Sequence, residues 1–381
     1  MRRALLAITA ALAVGLAPAP AAADPDWSLV PDGQPGGQQP TQPPVQQPGQ
    51  QPTQPPAGQG KSGGGYAAWQ PALPGTARVV AERRSGPRTL DVLISSRAVG
   101  RLLPVRMLLP RGWSKQARRT WPVLYLLHGG ADNYTSWTRM TDIAALTQDV
   151  DAIVVMPEAG RAGNYSDWYN RGKGGPPAWA TFHTYEVRRL LEVGYRAGGR
   201  RAIAGLSMGA YGAMKYAAAN KGMFRFAGAY SGIMATQLPG IPQLIMNAQA
   251  SEKQDPLALW GDPSRNKKVW AANDPMVLAP NLKGVSLYIS SGTTSGQGEL
   301  DPPGTPWHPA HLGEPISAYT AKAFSQRLTG LGIEHTLNLY GNGTHTWPYW
   351  YREFRTSFPM ILGALGLPGG GPAKVGEWKL H

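Results

Sequence analysis

Residues 205–209 read Gly-Leu-Ser-Met-Gly, and this stretch decides the fold that the sequence predicts. Residues 201–204, just before it, are typical of a short buried strand, and residues 210–219, just after it, are typical of a helix. A strand, a G-x-S-x-G turn and a helix in this order form a nucleophile elbow, which exposes a serine hydroxyl above the carboxyl edge of a sheet. Glycines flank the serine because the crowded turn tolerates only small neighbours. The motif therefore predicts Ser207 as a nucleophile.

Buried strands and helices alternate on both sides of this turn. Strands are predicted at residues 89–94, 102–109, 121–127, 152–156, 201–204, 226–230, 285–289 and 336–340, and helices at 181–196, 210–219, 317–331 and 350–365. The first two strands form an antiparallel pair. The later apolar runs are continuous, as expected when helices cover both faces of a sheet. The pattern predicts an α/β-hydrolase fold, a doubly wound, mostly parallel sheet with helices on both faces.

The first 65 residues do not look like part of this domain. Residues 1–23 combine two early arginines, a short apolar run and an Ala-Ala-Ala cleavage site, which predicts a secretory signal peptide. The run is too short for a membrane span of about 20 residues, so no transmembrane segment is predicted. Residues 24–65 are dominated by Pro, Gln and Gly and predict a disordered spacer. Residues 66–365 are the predicted catalytic domain, and 366–381 a flexible tail.

The composition limits the chemistry and the partners. The chain has no cysteine, which excludes a thiolate nucleophile, disulfides and thiolate metal sites. The formal charge is +14, and removal of the signal peptide leaves about +12. For a secreted protein this favours contact with an anionic cell-envelope polymer or lipid head groups. No basic stripe is interleaved with aromatic residues, so nucleic acid is not a predicted partner.

A serine nucleophile needs a base and an oxyanion site. His345 is the predicted base because it follows the last predicted strand, over the sheet edge from which the elbow serine emerges. The backbone N–H of Met208 is one predicted oxyanion donor. Gly130, in the loop after the strand at 121–127, is the other, with Gly129 or Ala131 as alternatives. His128 precedes the elbow and is interpreted as a structural hydrogen-bonding residue rather than a base.

The acid that orients the base is left open by spacing. Asp301 and Glu299 follow the strand at 285–289, the commoner position in this fold, and spacing favours Asp301. Glu314 lies farther along the chain. His308 and His311 have the spacing of a metal pair, but no further ligands lie nearby, so they are interpreted as surface histidines. No metal and no cofactor are predicted.

Several motifs in unbroken order resemble one family, the esterase-D-like α/β-hydrolases and, most of all, the secreted mycolyltransferases of the antigen 85 group. The similar stretches are Val123–Gly130 with Asp132–Trp137, Met156-Pro157 with Tyr165–Tyr169, Trp179–Phe182, Gly205–Met208, Leu259–Gly261, Trp270–Val277 and Asn342–Trp350. The resemblance extends over residues 89–362. It implies a serine acyl-enzyme that takes an acyl group from an ester donor and passes it to a hydroxyl acceptor.

Carried over by position, the resemblance implies Ser207 as nucleophile, His345 as base and Glu314 as acid. It thus ranks Glu314 ahead of Asp301 and reverses the order that spacing gives. Trp347 would line the acceptor pocket, and His128 and Ala131 belong to the predicted substrate-contacting set.

The chain departs from the family in the loop that includes His128 and Ala131. The family has Asp-Gly-Leu-Arg where residues 128–131 read His-Gly-Gly-Ala. The missing arginine and aspartate belong to the family's sugar site, so trehalose does not follow as the acceptor. Three functions are therefore weighed: acyl transfer to a sugar or lipid hydroxyl, plain ester hydrolysis with water as acceptor, and non-catalytic binding to the envelope.

Overall fold

The structure, a computed structural model, describes residues 77–376. The predicted signal peptide, the predicted spacer and residues 66–76 of the predicted catalytic domain lie outside the described residues, as do residues 377–381. Within the described part of the chain, no helix combines the length and apolar character needed to cross a membrane.

The described residues form one sheet of nine strands, with the spatial order β1-β2-β3-β5-β4-β6-β7-β8-β9. The strands are β1 (Arg78–Arg84), β2 (Thr89–Ser96), β3 (Arg101–Leu108), β4 (Trp121–Leu127), β5 (Ile153–Pro157), β6 (Ala197–Leu206), β7 (Phe226–Tyr230), β8 (Ser286–Ser291) and β9 (Thr336–Leu339). The pairs β1–β2, β2–β3 and β3–β5 are antiparallel. From β5 to β9 all neighbours are parallel, so the mostly parallel sheet is confirmed.

The helices cover both faces of this sheet. They are α1 (Ser136–Met140), α2 (Ile143–Leu146), α3 (Trp179–Thr181), α4 (Arg188–Gly194), α5 (Met208–Ala219), α6 (Ile241–Ser251), α7 (Lys267–Ala272), α8 (Pro275–Leu278), α9 (Gly313–Gly330) and α10 (Trp347–Leu365). A π-helical turn, Phe182–Val187, joins α3 to α4. Short 3₁₀ turns lie at Asn170–Gly172, Ala279–Leu282 and Pro309–Leu312.

Alternate side chains of the central strand β4 enter two different cores. Val123 and Tyr125 pack in the core that includes α5, whereas Leu124 and Leu126 pack in the core that includes α10. Because both faces are buried, the strand reads as an apolar run rather than as an alternating pattern. This is the physical reason why β4 could be recognised in the sequence with its observed bounds.

Two helices begin earlier than predicted, and both starts matter for the site. Helix α9 begins at Gly313 instead of 317, and α10 begins at Trp347 instead of 350. Pro315 and Pro348 look like helix breakers in the sequence, but each lies in a first turn, where a missing N–H costs nothing. Glu314 therefore lies on a helix and not in a loop.

The described part of the predicted tail, residues 366–376, folds back along helix α10. Helix α10 ends at Leu365, and the C-cap residue Gly366 has a left-handed φ of 70°. The chain then turns back, and the N–H groups of Gly371 and Lys374 donate to the carbonyls of Pro359 and Thr356 at 3.1 and 2.9 Å. The last turns of α10 and this returning segment therefore support each other.

The π-helical turn holds a buried histidine, His183, whose two ring nitrogens both have hydrogen-bond partners. Tyr216 and the Glu158 carbonyl lie 2.8 and 2.9 Å from the two ring nitrogens of His183. Burial lowers the pKa of His183 to about 3, so the unfolded chain binds this proton at a higher pH than the folded chain does.

We expect His183 to reduce the free energy of unfolding by about 1.4 kcal/mol per pH unit as the pH falls from about 6.5 toward 3. The contribution of His183 to the free energy of unfolding is fully present above the pKa of this histidine in the unfolded chain. Chemical denaturation of the wild type and of His183→Gln at several pH values measures the slope. The variant should show a shallower slope than the wild type, and equal slopes would contradict this origin of the acid sensitivity.

Candidate active site

The G-x-S-x-G stretch forms a sharp turn between β6 and α5. Ser207 has φ 51° and ψ −118°, a conformation that a non-glycine residue adopts only at a cost of about 1–3 kcal/mol. A Cβ on Gly209 would lie 2.5 Å from the Leu127 carbonyl oxygen, and a Cβ on Gly205 would collide with the Gly209 backbone. Both glycines are therefore required, and the strained serine stands at the carboxyl edge of the sheet.

His345 reaches this serine from the loop between β9 and α10. Its Nε2 lies 2.9 Å from Ser207 Oγ. The ring of Trp350 stands edge-on to the imidazole, with centroids 4.9 Å apart. Gly313 lies under the ring, because a Cβ there would approach His345 Cγ to 2.8 Å. The side chain of His345 is 10% exposed, so the imidazole is held in place but is open toward the pocket.

Glu314 holds the other side of the imidazole. Its side chain is fully buried, and Oε1 lies 2.8 Å from His345 Nδ1. Oε2 accepts hydrogen bonds from Ser231 Oγ (2.9 Å), the Gly292 N–H (2.6 Å), Tyr340 O–H (3.0 Å) and Ser291 Oγ (3.2 Å). All four groups can donate, and a carboxylate oxygen can only accept. We therefore assign the His345 proton to Nδ1, which leaves Nε2 free to accept from Ser207.

Tyr340 is itself fixed by its neighbours. The Arg352 guanidinium lies 4.2 Å from the Tyr340 ring centroid, and Tyr349 stacks on the ring at 5.8 Å. Burial and the nearby Glu314 carboxylate hold the pKa of Tyr340 well above its usual value. Tyr340 therefore remains a hydrogen-bond donor to Glu314.

Asp301, the acid that spacing favoured, has other partners. It accepts hydrogen bonds from Tyr349 O–H at 2.7 Å, from the Gly298 N–H at 2.8 Å and from Thr344 Oγ1. Glu299 is largely exposed and lies 3.3 Å from Arg352. The carboxylate beside His345 is that of Glu314. Spacing favoured Asp301 because distance along the chain does not reveal that the loop after β8 returns to the site through the first turn of α9.

Gly130 and Met208, the predicted oxyanion donors, lie close to each other beside Ser207. A Cβ on Gly130 would be 4.0 Å from Met208 Cβ. Met208 begins α5, where backbone N–H groups have no partner within the helix. Within residues 77–376, neither N–H donates to a protein acceptor. The Ala131 N–H, in contrast, donates to the Arg161 carbonyl at 2.8 Å, which removes Ala131 as an alternative donor.

A pocket opens directly above these groups. Ser207, Met208, Gly130 and His345 line it, and much of the remaining wall is apolar, formed by Ile233, Leu244, Ile245, Trp260 and Ile316. Ser207, His345, Gly130 and Met208 therefore border one space whose wall is largely apolar.

The three residues predicted to contact the substrate differ in their position relative to the pocket. Ala131 lines the pocket, whereas His128 and Trp347 do not. His128 is 1% exposed, and its ring nitrogens lie 2.7 Å from the Gly129 carbonyl and 3.0 Å from the Ala159 N–H. Trp347 packs on Trp137 and Trp350 with centroids 5.3 and 5.7 Å apart. In this structure both side chains support neighbouring parts of the site, and their contact with a substrate stays a prediction.

The prediction that His311 lies on the surface was wrong. This residue is 5% exposed, and Trp307 covers its ring at 6.2 Å. It ends the 3₁₀ turn that leads into α9, and burial lowers the pKa of its imidazole. Among residues 77–376, no group of three or more ligand side chains could hold a metal ion.

The four donors to Glu314 were missed in the sequence, although a signal was present. Ser231, Ser291 and Tyr340 stand at or just after the ends of β7, β8 and β9, and Gly292 follows Ser291. Parallel strands place their carboxyl ends at one edge of the sheet. Polar residues at three successive strand ends are therefore candidates for one shared network.

Replacing Gly313 with alanine tests how closely the His345 ring must be held. The added Cβ would push the ring away from Ser207, and we expect kcat for an ester substrate to fall about 10- to 100-fold. Gly330→Ala, in the same helix and with no atom within 4 Å of its Cβ, is the control and should keep kcat. Steady-state kinetics of both variants measure the effect. A Gly313→Ala enzyme with wild-type kcat would contradict the inference that the His345 ring must be held closely in place.

Comparison with known proteins gives the family. The esterase family model matches residues 96–361. The diacylglycerol acyltransferase/mycolyltransferase Ag85B of Mycobacterium avium is 31% identical over 267 residues, which are 66% of this chain and 78% of that protein. A Mycobacterium tuberculosis protein named an esterase is 29% identical over 265 residues, 68% of this chain and 56% of that protein.

Solved structures agree on the fold. The crystal structure of Mycobacterium tuberculosis MPT51 matches with a TM-score of 0.60 and 23% identity, over 71% of this chain and 96% of that one. The fluorophosphonate-binding serine hydrolase FphF of Staphylococcus aureus matches with a TM-score of 0.56 and 19% identity, over 73% and 98%. The chain belongs to the esterase family of α/β-hydrolases, together with the antigen 85 mycolyltransferases.

Proposed function

We propose that this chain is a serine acyl-enzyme that transfers an acyl group from an ester donor to a hydroxyl acceptor. The observation that carries the proposal is the unbroken series of hydrogen bonds from Ser207 through His345 to Glu314, at 2.9 and 2.8 Å, beside a partly apolar pocket. A nucleophile, a base and an orienting acid in this geometry are the parts of a catalytic triad.

In the first half-reaction, Ser207 Oγ attacks the carbonyl carbon of the donor ester while its proton passes to His345 Nε2. The carbonyl oxygen becomes an oxyanion, which accepts hydrogen bonds from the N–H groups of Gly130 and Met208. Glu314 stabilises the imidazolium that has formed. The tetrahedral intermediate then expels the donor's alcohol, which leaves with the proton from His345, and the acyl group stays on Ser207 as an ester.

In the second half-reaction, an acceptor hydroxyl takes the place of the departed alcohol. His345 Nε2 accepts its proton as the acceptor oxygen attacks the acyl carbonyl. The second oxyanion accepts hydrogen bonds from the same two N–H groups. When the second tetrahedral intermediate collapses, the bond between the acyl carbon and Ser207 Oγ breaks, and Ser207 Oγ regains a proton from His345. The acyl group leaves as an ester of the acceptor. Water in the acceptor's place gives hydrolysis.

Transfer to a sugar or lipid hydroxyl is the function we favour over plain hydrolysis. Relatives named diacylglycerol acyltransferase/mycolyltransferase match most of this chain, and the apolar pocket wall suits an acyl chain. Hydrolysis is the alternative, because a relative of similar identity is named an esterase and residues 128–131 depart from the mycolyltransferase pattern.

One reaction separates transfer from hydrolysis. The protein is incubated with an acyl ester, with and without glycerol or trehalose, and free acid and new ester are both quantified. We expect new ester as the main product when an acceptor is present. Free acid alone at every acceptor concentration would identify a carboxylesterase instead.

A non-catalytic envelope-binding protein is the remaining alternative. A fluorophosphonate probe labels a serine only when its hydroxyl is activated and accessible. We expect the wild type to be labelled and Ser207→Ala to remain unlabelled. An unlabelled wild type, or equal labelling of the variant, would favour the binding function.

The proposed setting is outside the cell. The signal peptide predicted at residues 1–23 and the surplus of cationic side chains support a secreted enzyme that meets an anionic envelope surface. Detection of a mature chain beginning near Asp24 in the culture medium tests the export step.

A further inference from the structure

Lys215 is a buried cation that takes no part in the acyl-transfer steps described above. It lies on α5, two helical turns after Met208, and is 5% exposed. Burial lowers the pKa of its ammonium group to about 8, and Asp167 opposes this shift, so the group is charged in most molecules at neutral pH. The Asp167 carboxylate accepts hydrogen bonds from the N–H and the hydroxyl of Thr181. Because the burial of a charge is costly, the hydrogen bonds of the ammonium group must compensate for it.

The ammonium group of Lys215 holds a strained turn of the backbone. Its Nζ donates to the Tyr165 carbonyl and to Ser166 Oγ, both at 3.0 Å. Asn164 and Tyr165 have φ angles of 47° and 45°, which non-glycine residues adopt only at a cost in free energy. Ser166 Oγ donates in turn to the Asn164 carbonyl at 2.7 Å. One charged group therefore ties both residues of the strained turn to α5.

The side chain of Tyr165 connects this turn to the loop that contains Gly130. Its hydroxyl donates to the His128 carbonyl at 2.7 Å. Burial holds the pKa of Tyr165 well above its usual value, so the hydroxyl keeps the proton that it donates. The His128 carbonyl belongs to the peptide bond that joins His128 to Gly129, directly before Gly130. The position of the Gly130 N–H therefore depends on where the Tyr165 hydroxyl is held.

Met208, the other predicted oxyanion donor, lies on the helix that carries Lys215. Met208, Gly212 and Lys215 have the spacing i, i+4 and i+7, so they share one face of α5. The Tyr165 ring packs on this face, since a Cβ on Gly212 would lie 2.4 Å from Tyr165 Cγ. Lys215 thus fixes Tyr165 against the helix whose first N–H group is a predicted oxyanion donor.

We propose that Lys215 is a positioning residue that sets the spacing of the two oxyanion donors. The inference rests on the acyl transfer and the oxyanion site proposed above. The ammonium group holds the Tyr165 backbone against α5, and the Tyr165 hydroxyl holds the His128 carbonyl. The loop then presents the Gly130 N–H beside that of Met208. Because an oxyanion forms only on the way to the tetrahedral intermediate, loss of this support lowers kcat and leaves KM nearly unchanged.

Two esters that differ in one atom report on the oxyanion site. In a thionoester, sulfur replaces the carbonyl oxygen, and sulfur is the weaker hydrogen-bond acceptor, so well-placed donors favour the oxygen ester. Rates for p-nitrophenyl butyrate and its thionoester are measured for the wild type, Lys215→Met and Lys221→Met, and the oxygen-to-sulfur ratio is compared. Lys221 is exposed just after the end of α5 and is the matched control.

We expect kcat for the oxygen ester to fall about 10- to 100-fold in Lys215→Met, with little change in KM. The oxygen-to-sulfur ratio should fall about tenfold, and Lys221→Met should keep the wild-type values. A loss of folded enzyme affects both esters equally and cancels in the ratio. A role of Lys215 in stability alone would therefore leave the ratio unchanged.

Tyr165→Phe tests the same path without removing a charge, because it keeps the ring and loses only the hydroxyl. Its oxygen-to-sulfur ratio should also fall, and the double variant with Lys215→Met should fall no further than Lys215→Met alone, since both changes break one path. Unchanged ratios in both single variants, or a double variant that loses the product of the two effects, would overturn the positioning role. A wild type that consumes neither ester would overturn the acyl-transfer proposal and this inference with it.

Discussion

Replacing Ser207 with alanine should reduce kcat for ester turnover by about 10⁴- to 10⁶-fold. The serine oxygen forms the bond to the acyl group, and Ser207 Oγ is the pocket hydroxyl that is hydrogen-bonded to His345 Nε2. The His345 imidazole, now without its hydroxyl partner at 2.9 Å, could activate only a water molecule.

The Ser207→Ala experiment needs a check on folding and on specificity. The variant keeps the left-handed φ of the elbow, so its thermal unfolding midpoint should stay within a few degrees of the wild type. Ser264→Ala, at an exposed serine that bonds only locally to Asp262, is the matched control. A folded Ser207→Ala protein that turns over the ester at the wild-type rate would exclude Ser207 as the nucleophile.

Replacing Glu314 with glutamine should reduce kcat by about 10³- to 10⁴-fold. Four donors surround the position of Oε2, so the oxygen of the new amide must lie there. The amide nitrogen then faces His345 Nδ1 and donates to it. This reverses the tautomer, since the proton of the imidazole moves to Nε2, and Nε2 can no longer accept the proton of Ser207.

Asp301→Asn is the comparison that separates the two candidate acids. Asp301 binds Tyr349, Thr344 and the Gly298 N–H, so its loss loosens the loop beside His345 without changing the tautomer. We expect kcat to fall by no more than about tenfold. The pH profile of kcat/KM should keep its shape in this variant. A larger loss in Asp301→Asn than in Glu314→Gln would mean that the acid has been assigned to the wrong residue.

The sequence predicted the elements that are buried on both faces. Strands β4 and β7 were recognised with their observed bounds because each is a continuous apolar run. Strand β1 was missed because it lies at the sheet edge and mixes apolar with charged residues. Helix α6, which forms part of the pocket, was also missed, since Pro242 and several polar residues weaken its helical pattern.

The sequence predicted those site residues that a short local pattern marks, and it missed contacts between residues that are far apart in the chain. Ser207 follows from a five-residue motif, and His345 follows from its place after the last strand. Glu314 did not follow from spacing, which favoured Asp301, and was assigned only through the family resemblance. Its four donors come from three different strand ends and a following loop, and Arg161 meets Ala131 across 30 residues of sequence. Such contacts depend on tertiary packing, which no local sequence pattern reveals.

The most direct measurement of the central claim is the location of the acyl group on the enzyme. The protein is mixed with an activated ester, quenched in acid within one turnover and digested with trypsin. The peptide of residues 202–215 contains Ser207 as its only serine, and the chain has no cysteine that could be acylated instead. We predict that this peptide gains the mass of one acyl group. An acyl group found only on another peptide, while the ester is still consumed, would contradict the mechanism.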